Sequence, residues 1–288
     1  MTWVGVPDGL FMGGMVGNGG RDPDADGELI GPPWTVQPAS SITETAAAVM
    51  MVAGRMGVLL FSIKGNRASV DTTGGSRWSA KGVRMSLSVE RISVGSMDNN
   101  VYLVTDSASG ERLLVDAAAD RDAIASLVGG GNLRWLLTTH SHHDHIGALA
   151  AVATAHPEAT VICGDADADA VSAATGVLIG HRLHDGDTVA LGGFALDVIG
   201  LRGHTVGSVA LAVPVDGVVN LITGDSLFPG GVGNTGHDPV RFASLLGDVT
   251  ARIFDRYDDV TIVWPGHGRP TTLGAERPHL DEWRARGW

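Results

Sequence analysis

The chain has 288 residues, enough for one large domain or two small ones with a well-buried core. Its net charge of -12 argues against nucleic acid, which needs basic patches, and against an anionic membrane surface. The single cysteine, Cys163, rules out an intrachain disulfide and fits a reducing, cytoplasmic setting.

The start, MTWVGVPDGLFMGG, lacks the basic opening and apolar core of a secretory signal. The segment TAAAVMMVAGRMGVLLF, 45–61, is short for a span of ~20 residues and carries Arg55 in its middle, so it reads as a buried helix or strand. Composition changes near residue 85. Residues 1–85 hold seven acidic and seven basic side chains and seven of the eight methionines, so the whole charge lies in 86–288. The favoured reading of this Gly/Met-rich extension is upstream sequence from a misplaced start, with translation beginning near Met85. A loosely ordered arm and a small accessory layer are the alternatives. No chemistry is assigned to it.

From residue 86 the pattern is regular. SLSVERISV, NVYLVTD and ERLLVDA read as strands, with a hairpin turn at 106–110. RDAIASLV reads as a helix, and LRWLLTT as a buried strand running into a histidine cluster. HIGALAAVATA is an apolar-stripe helix, ATVIC a strand, and DADADAVSAAT a helix start rich in acids. DTVAL, FALDVIGL, SVALAVP and VVNLITGD are strands. PVRFASLLGDVTARIFDRY is a long amphipathic helix with Pro239 in its first turn; VTIVW is a last core strand and ERPHLDEWRARGW a closing helix. This order predicts an α/β (α+β) domain over 86–288, two sheets face to face with helices outside.

The cluster is THSHHDHIG, 139–147. It follows a strand, where a rigid scaffold can present side chains. His140 and His142, two apart, point the same way in extended geometry and suit one metal; Asp144 and His145 suit a second nearby. His143 has the wrong parity for either. Three later strands each end in a glycine-bounded turn bearing one potential ligand: His204 in LRGHTVGS, Asp225 in LITGDSLF and His267 in VWPGHG. Imidazole with carboxylate suits zinc, though iron and manganese accept the same donors.

The pattern His140-x-His142-x-Asp144-His145, then His204, Asp225 and His267, resembles the metallo-β-lactamase-fold hydrolases, and within them the glyoxalase II-like branch. The resemblance implies a four-layer αββα sandwich and two zinc ions. His140, His142 and His204 would hold one metal, Asp144, His145 and His267 the other, and Asp225 would bridge them. Asp116, in LLVDA, matches the aspartate that supports the site from behind. The implied activity is hydrolysis of a small ester or thioester by a hydroxide held between the metals, with Asp144 orienting it as the catalytic residue.

Family members that cleave glutathione thioesters carry an extra C-terminal helical domain, whereas 21 residues follow His267 here, enough for one helix. Substrate contacts are therefore expected chiefly from the loop 227–242. His237 and Arg241 read as loop surface before substrate contacts, and His156, His181, His184 and His279 as structural or surface residues. Asp225 stands where true β-lactamases carry cysteine or serine, which disfavours antibiotic hydrolysis. The rival within the fold is a mononuclear iron persulfide dioxygenase; outside it, a non-catalytic metal-binding module. The expected partner is a small molecule.

Overall fold

The structure, a computed structural model, describes residues 84–287 and the two-residue strand Arg77–Trp78 (β1), all within one unit, Ser69–Trp288. The expectations for 45–61, and for the rest of 1–83 apart from β1, fall outside the described residues. β1 pairs antiparallel with β2 (Arg84–Met85), and the Met85 side chain packs on the core between the two main sheets.

The first main sheet comprises β3 (Leu87–Val94), β4 (Asn99–Asp106), β5 (Glu111–Val115), β6 (Asn132–Thr138), β7 (Thr160–Gly164) and β8 (His181–Leu183), paired in that order. It starts as an antiparallel meander and becomes parallel from β5 onward, through crossovers carrying α1 (Arg121–Val128), α2 (His143–Ile146) with α3 (Leu149–Ala155), and α4 (Asp165–Thr175). Next in the chain come β9 (Thr188–Leu191), β10 (Phe194–Gly200), β11 (Val209–Val215) and β12 (Val218–Gly224), a second meander. A small ladder follows, β13 (Leu227–Phe228) with β14 (Gly231–Val232), and then α5 (Pro239–Val249). β15 (Ile262–Pro265) and β16 (Thr271–Thr272) complete the second sheet, in the order β16-β15-β12-β11-β10-β9. α6 (Leu273–Glu276) and α7 (Leu280–Arg286) close the described chain.

Side-chain alternation along the central strands explains the layering, because successive residues of a strand face opposite sides. Val101 and Leu103 of β4 enter one core with α1, α3 and α4, while Tyr102 and Val104 enter a second core between the sheets. On β11, Val209, Leu211 and Val213 face that middle core, and Ala210 and Ala212 face a third, under α5 and α7. Three cores between four layers make the αββα sandwich. Strands buried on both faces read as continuous apolar runs, as VYLV in β4 and VALAV in β11 do. Each fully buried Leu, Ile or Val contributes about 1.5–3 kcal/mol.

Several expected elements take a different form. HIGALAAVATA is not one helix: the chain leaves α2 after Ile146, Ala148 N–H donates to Ala117 O, and α3 starts anew. The helix from Pro239 is α-helical to Val249 and widens to a π turn over Thr250–Phe254. Its start follows the sequence signal, with Asp238 accepting from Val240 N and Arg241 N ahead of Pro239. The closing segment is α6, a 3-10 turn and α7. Among the described residues no helix is long and apolar enough to cross a membrane.

Candidate metal centre

The layers bring four strand ends to one edge. β6 runs into Thr139 and His140, and Thr139 O accepts from Val209 N, tying this loop to the second sheet. β12 and β15 pair in parallel, so they end together: Asp225 follows one and Gly266–His267 the other, and Gly224 O accepts from Gly266 N. His204 follows β10 in the loop to β11. α2 adds Asp144 and His145 from its first turn.

All seven residues singled out as ligands meet here. Three groups have donor atoms within 4.8 Å of one another: His140, His142 and His204; His140, His145 and Asp225; and Asp144, His145 and His267. His140 and His145 are fully buried, and His142 lies exposed at the mouth. His143 points away, its side chain 90% exposed, so the parity argument holds for it.

The ring hydrogen bonds determine which nitrogen faces inward. His145 Nδ1 lies 2.9 Å from Asp116 Oδ2, His204 Nδ1 2.7 Å from Asn234 O, and His267 Nδ1 2.8 Å from Met97 O. Each partner can only accept, so each Nδ1 carries the proton. Thr139 Oγ1 donates to Asp116 Oδ2, and therefore accepts from His140 Nδ1 at 3.0 Å. In each neutral ring the inward Nε2 atom then presents a lone pair. Yet His140 and His204 bring their Nε2 atoms to 3.3 Å, and His145 and His267 to 3.2 Å. Two facing lone pairs repel unless a cation sits with them. Asp225 lies between the pairs, 3.4–3.5 Å from the Nε2 atoms of His145, His204 and His267. Its buried Oδ1 finds no hydrogen-bond donor among the described residues. Gly266 keeps the space open: a Cβ there would overlap Asp225 Oδ1 and stand 2.7 Å from His145 Cε1. Unshared lone pairs, an orphaned carboxylate oxygen and a cradle lacking a side chain fit a metal centre.

With no metal bound, the carboxylates draw positive charge as protons at some of these rings. Burial disfavours the charged form of His145, but Asp116 and Asp225 outweigh it and push its pKa up to about 10. His267 is raised by Asp225. Burial, helped by neighbouring imidazoles, holds His140 well below the ordinary histidine range, and burial also lowers His142 and His204. Burial would raise Asp225 and Asp144, yet both lie below the usual carboxylate range, Asp225 through His145 and His267, Asp144 through its Asn99 hydrogen bond and His145. The pocket thus sets ionised carboxylates beside neutral imidazoles at His140, His142 and His204 and favours positive charge at His145 and His267, a field that attracts a cation.

Several supporting residues carry no sequence motif. Asn99 Nδ2 donates to Asp144 Oδ2 at 2.9 Å, and its backbone bridges His267. Asn100 Nδ2 donates to Pro265 O and Gly268 O, Tyr102 OH to Pro265 O, and Arg91 to Gly268 O, so β3 and β4 grip the turn bearing His267. The signal available was a polar Asn-Asn pair opening an apolar strand. Asp116, expected at this place, sits at φ 58° and also accepts from Thr139 N. Arg241 lies close to the site in another role than surface: its guanidinium donates to Gly203 O and His204 O and so holds that ligand loop. Of the other histidines, His156 is half-buried beside Glu158 and His279 lies exposed beside Glu282.

A cavity of about 630 Å³ adjoins His204 and Asp225. Phe228, Val232, Phe242 and Trp283 wall it, with His237 and Arg286 among its polar lining residues. The loop 227–242 thus lines it as expected, and α7 contributes as well, a role the sequence pattern does not signal.

Residues 94–267 match the profile of the Metallo-beta-lactamase superfamily. A hydroxyacylglutathione hydrolase of Anaeromyxobacter dehalogenans is 40% identical over 59% of this chain and 61% of its own length, so the chain spans less than two thirds of that relative. Two solved structures align over nearly their whole length. The BLEG-1 B3 metallo-beta-lactamase is 27% identical with a TM-score of 0.53, over 67% of this chain and 98% of that one. TTHA1623, in a di-iron-bound form, is 29% identical with a TM-score of 0.51, over 65% of this chain and 96% of that one. Sandwich, strand-end ligands and sequence match agree: the chain belongs to the metallo-beta-lactamase superfamily.

Proposed function

We propose that this protein is a metal-dependent hydrolase of a small ester or thioester, with a dinuclear centre. The observation that carries the reading is the set of four imidazoles with Nδ1 tied to acceptors and Nε2 turned inward, three of them on Asp225. His140, His142 and His204 would hold one metal, Asp144, His145 and His267 the second, and Asp225 would serve both. Zinc suits these donors, and the di-iron form of TTHA1623 supports two ions and leaves iron open. Bound there, the metals supply Lewis acidity and lower the pKa of a coordinated water.

The chain's own residues do the rest. The apolar walls Phe228, Val232 and Phe242 hold the acyl part of the substrate against Asp225 and His204 and exclude water from it. Asp144, kept ionised and fixed by Asn99, accepts the proton of the attacking water and returns it to the leaving thiolate or alkoxide. The acyl carbon gains the water oxygen as its bond to sulfur or oxygen breaks. The name of the curated relative supports a thioester. The test is metal content per chain together with hydrolysis of a thioester, lactone and β-lactam series. Two zincs with thioester or ester turnover is the expected result. One iron with oxygen uptake on a persulfide would replace this reading with the dioxygenase, and β-lactam turnover alone would replace it with a lactamase. A full metal complement with no turnover of any substrate would point to the non-catalytic module.

A further inference from the structure

The acid-rich start of α4, DADADA, finds no use in the hydrolase reading, yet its acids differ sharply in placement. Asp165 and Asp169 are a helical turn apart and face outward, both on Arg182. Asp167 lies about 200° of helical rotation from Asp165, and is 2% exposed. Its Oδ2 accepts from Ser141 N at 2.9 Å and its Oδ1 from Gly207 N at 2.9 Å. Ser141 stands between His140 and His142. Gly207 is three residues after His204, in the same turn. One buried carboxylate therefore fastens both loops that carry one group of ligands.

The local packing is built around this bridge. A Cβ on Gly207 would overlap Asp167 N and Ala166 C, so only glycine lets the His204 loop lie directly on the first turn of α4. Both partners of Asp167 are backbone N–H donors, and a carboxylate offers each of them an oxygen. An asparagine would offer one oxygen and set its NH₂ group against the other donor. The role therefore needs the acid.

We propose that Asp167 is a positioning residue for the His140–His142–His204 half of the centre, holding its two loops in register so that three imidazoles converge. This rests on the dinuclear reading above. Groups one step removed from the ligands typically tune metal affinity by about 10- to 100-fold.

The experiment is a zinc titration of the full chain, wild type and Asp167→Asn, against a chromophoric chelator, with Asp169→Asn as the outward-facing control. Expected is a loss of affinity of about 10- to 100-fold at one of two sites in Asp167→Asn. The other site and the control should match the wild type, and excess zinc should restore the wild-type kcat. A purely structural role would weaken both sites alike or resist rescue, and unchanged affinity at both sites would equally overturn the proposal. If the wild type binds no zinc, the hydrolase reading falls, and this proposal with it. Should Asp167→Asn fail to fold, amide hydrogen exchange on the wild type decides: Ser141 and Gly207 N–H must be protected, and fast exchange at either overturns the proposal.

Discussion

The two halves of the candidate centre use similar donors but are fastened differently. Charged groups on the outer helices hold the His140–His142–His204 half: Asp167 of α4 grips Ser141 and Gly207, Arg241 of α5 grips Gly203 and His204, and Asp248 of α5 accepts from Arg202 N and its guanidinium. Strand residues hold the Asp144–His145–His267 half: Asn99, Asn100 and Tyr102 of β4, with Arg91 of β3. Both outer layers of the sandwich thus reach the first half, while the second depends on sheet pairing. Among the described residues, Asp116 serves both, through Thr139 beside His140 and through His145 itself.

The largest effect should come from removing that common post. Asp116→Ala leaves Thr139 N, Thr139 Oγ1 and His145 Nδ1 buried without their acceptor, so stability should fall by about 3–5 kcal/mol in urea unfolding and both metals should be lost. Retention of either metal at wild-type affinity would show that the halves are independent. Next, His204→Ala and His267→Ala should each lower metal content from two per chain to one, each removing a ligand from a different half. If one variant emptied both sites, the halves would be a single cooperative unit; elemental analysis reads this directly. Tyr102→Phe is milder. Burial raises the phenol pKa, so the OH stays a donor to Pro265 O, and its loss should cost about 1 kcal/mol with kcat falling more than KM changes. An unchanged kcat would remove Tyr102 from the fastening of the His267 turn.

The smallest effect is a pH effect confined to the first half. Burial would raise the Asp248 pKa, but hydrogen bonds from Arg202 and the charge of Arg252 hold it below the ordinary range. A carboxyl with a lowered folded pKa contributes its stability above the unfolded value of about 3.9, and loses it as pH falls through the lower folded value. The contribution should be below about 1 kcal/mol because Arg202 is largely exposed. Comparing Asp248→Asn with the wild type across pH 2–6 checks it; a gap that widened toward low pH would have the wrong sign.

Legibility in the sequence follows locality. His140, His142, Asp144 and His145 share six positions, and His204, Asp225 and His267 each stand alone in a glycine-bounded turn after an apolar strand, so the candidate ligands stand out from their spacing. The layers are also readable, because the doubly buried strands are mostly apolar. Asn99 and Gly266 are only half legible: an Asn-Asn pair and a glycine turn mark the places, but their partners lie far along the chain and cannot be read from them. β8 and β16, three and two residues long, are too short for any periodicity. The break between α2 and α3 comes from a tertiary hydrogen bond to Ala117, which no helix propensity foretells. Asp167 is within reach, since helical rotation alone separates it from Asp165 and Asp169. The boundary near residue 85 stays a proposal, and Met85 packed on the middle core makes a chain begun there a fair trial of it.

The facing imidazoles have a consequence for the population of molecules. In each close pair one ring follows a strand of the first sheet, directly or through α2, and the other follows a strand of the second: His140 with His204, His145 with His267. Neither pair exists in a chain whose sheets have not met. Tightly bound metal is therefore a census of closed sandwiches, counting assembled molecules in a sample whatever substrate they turn over.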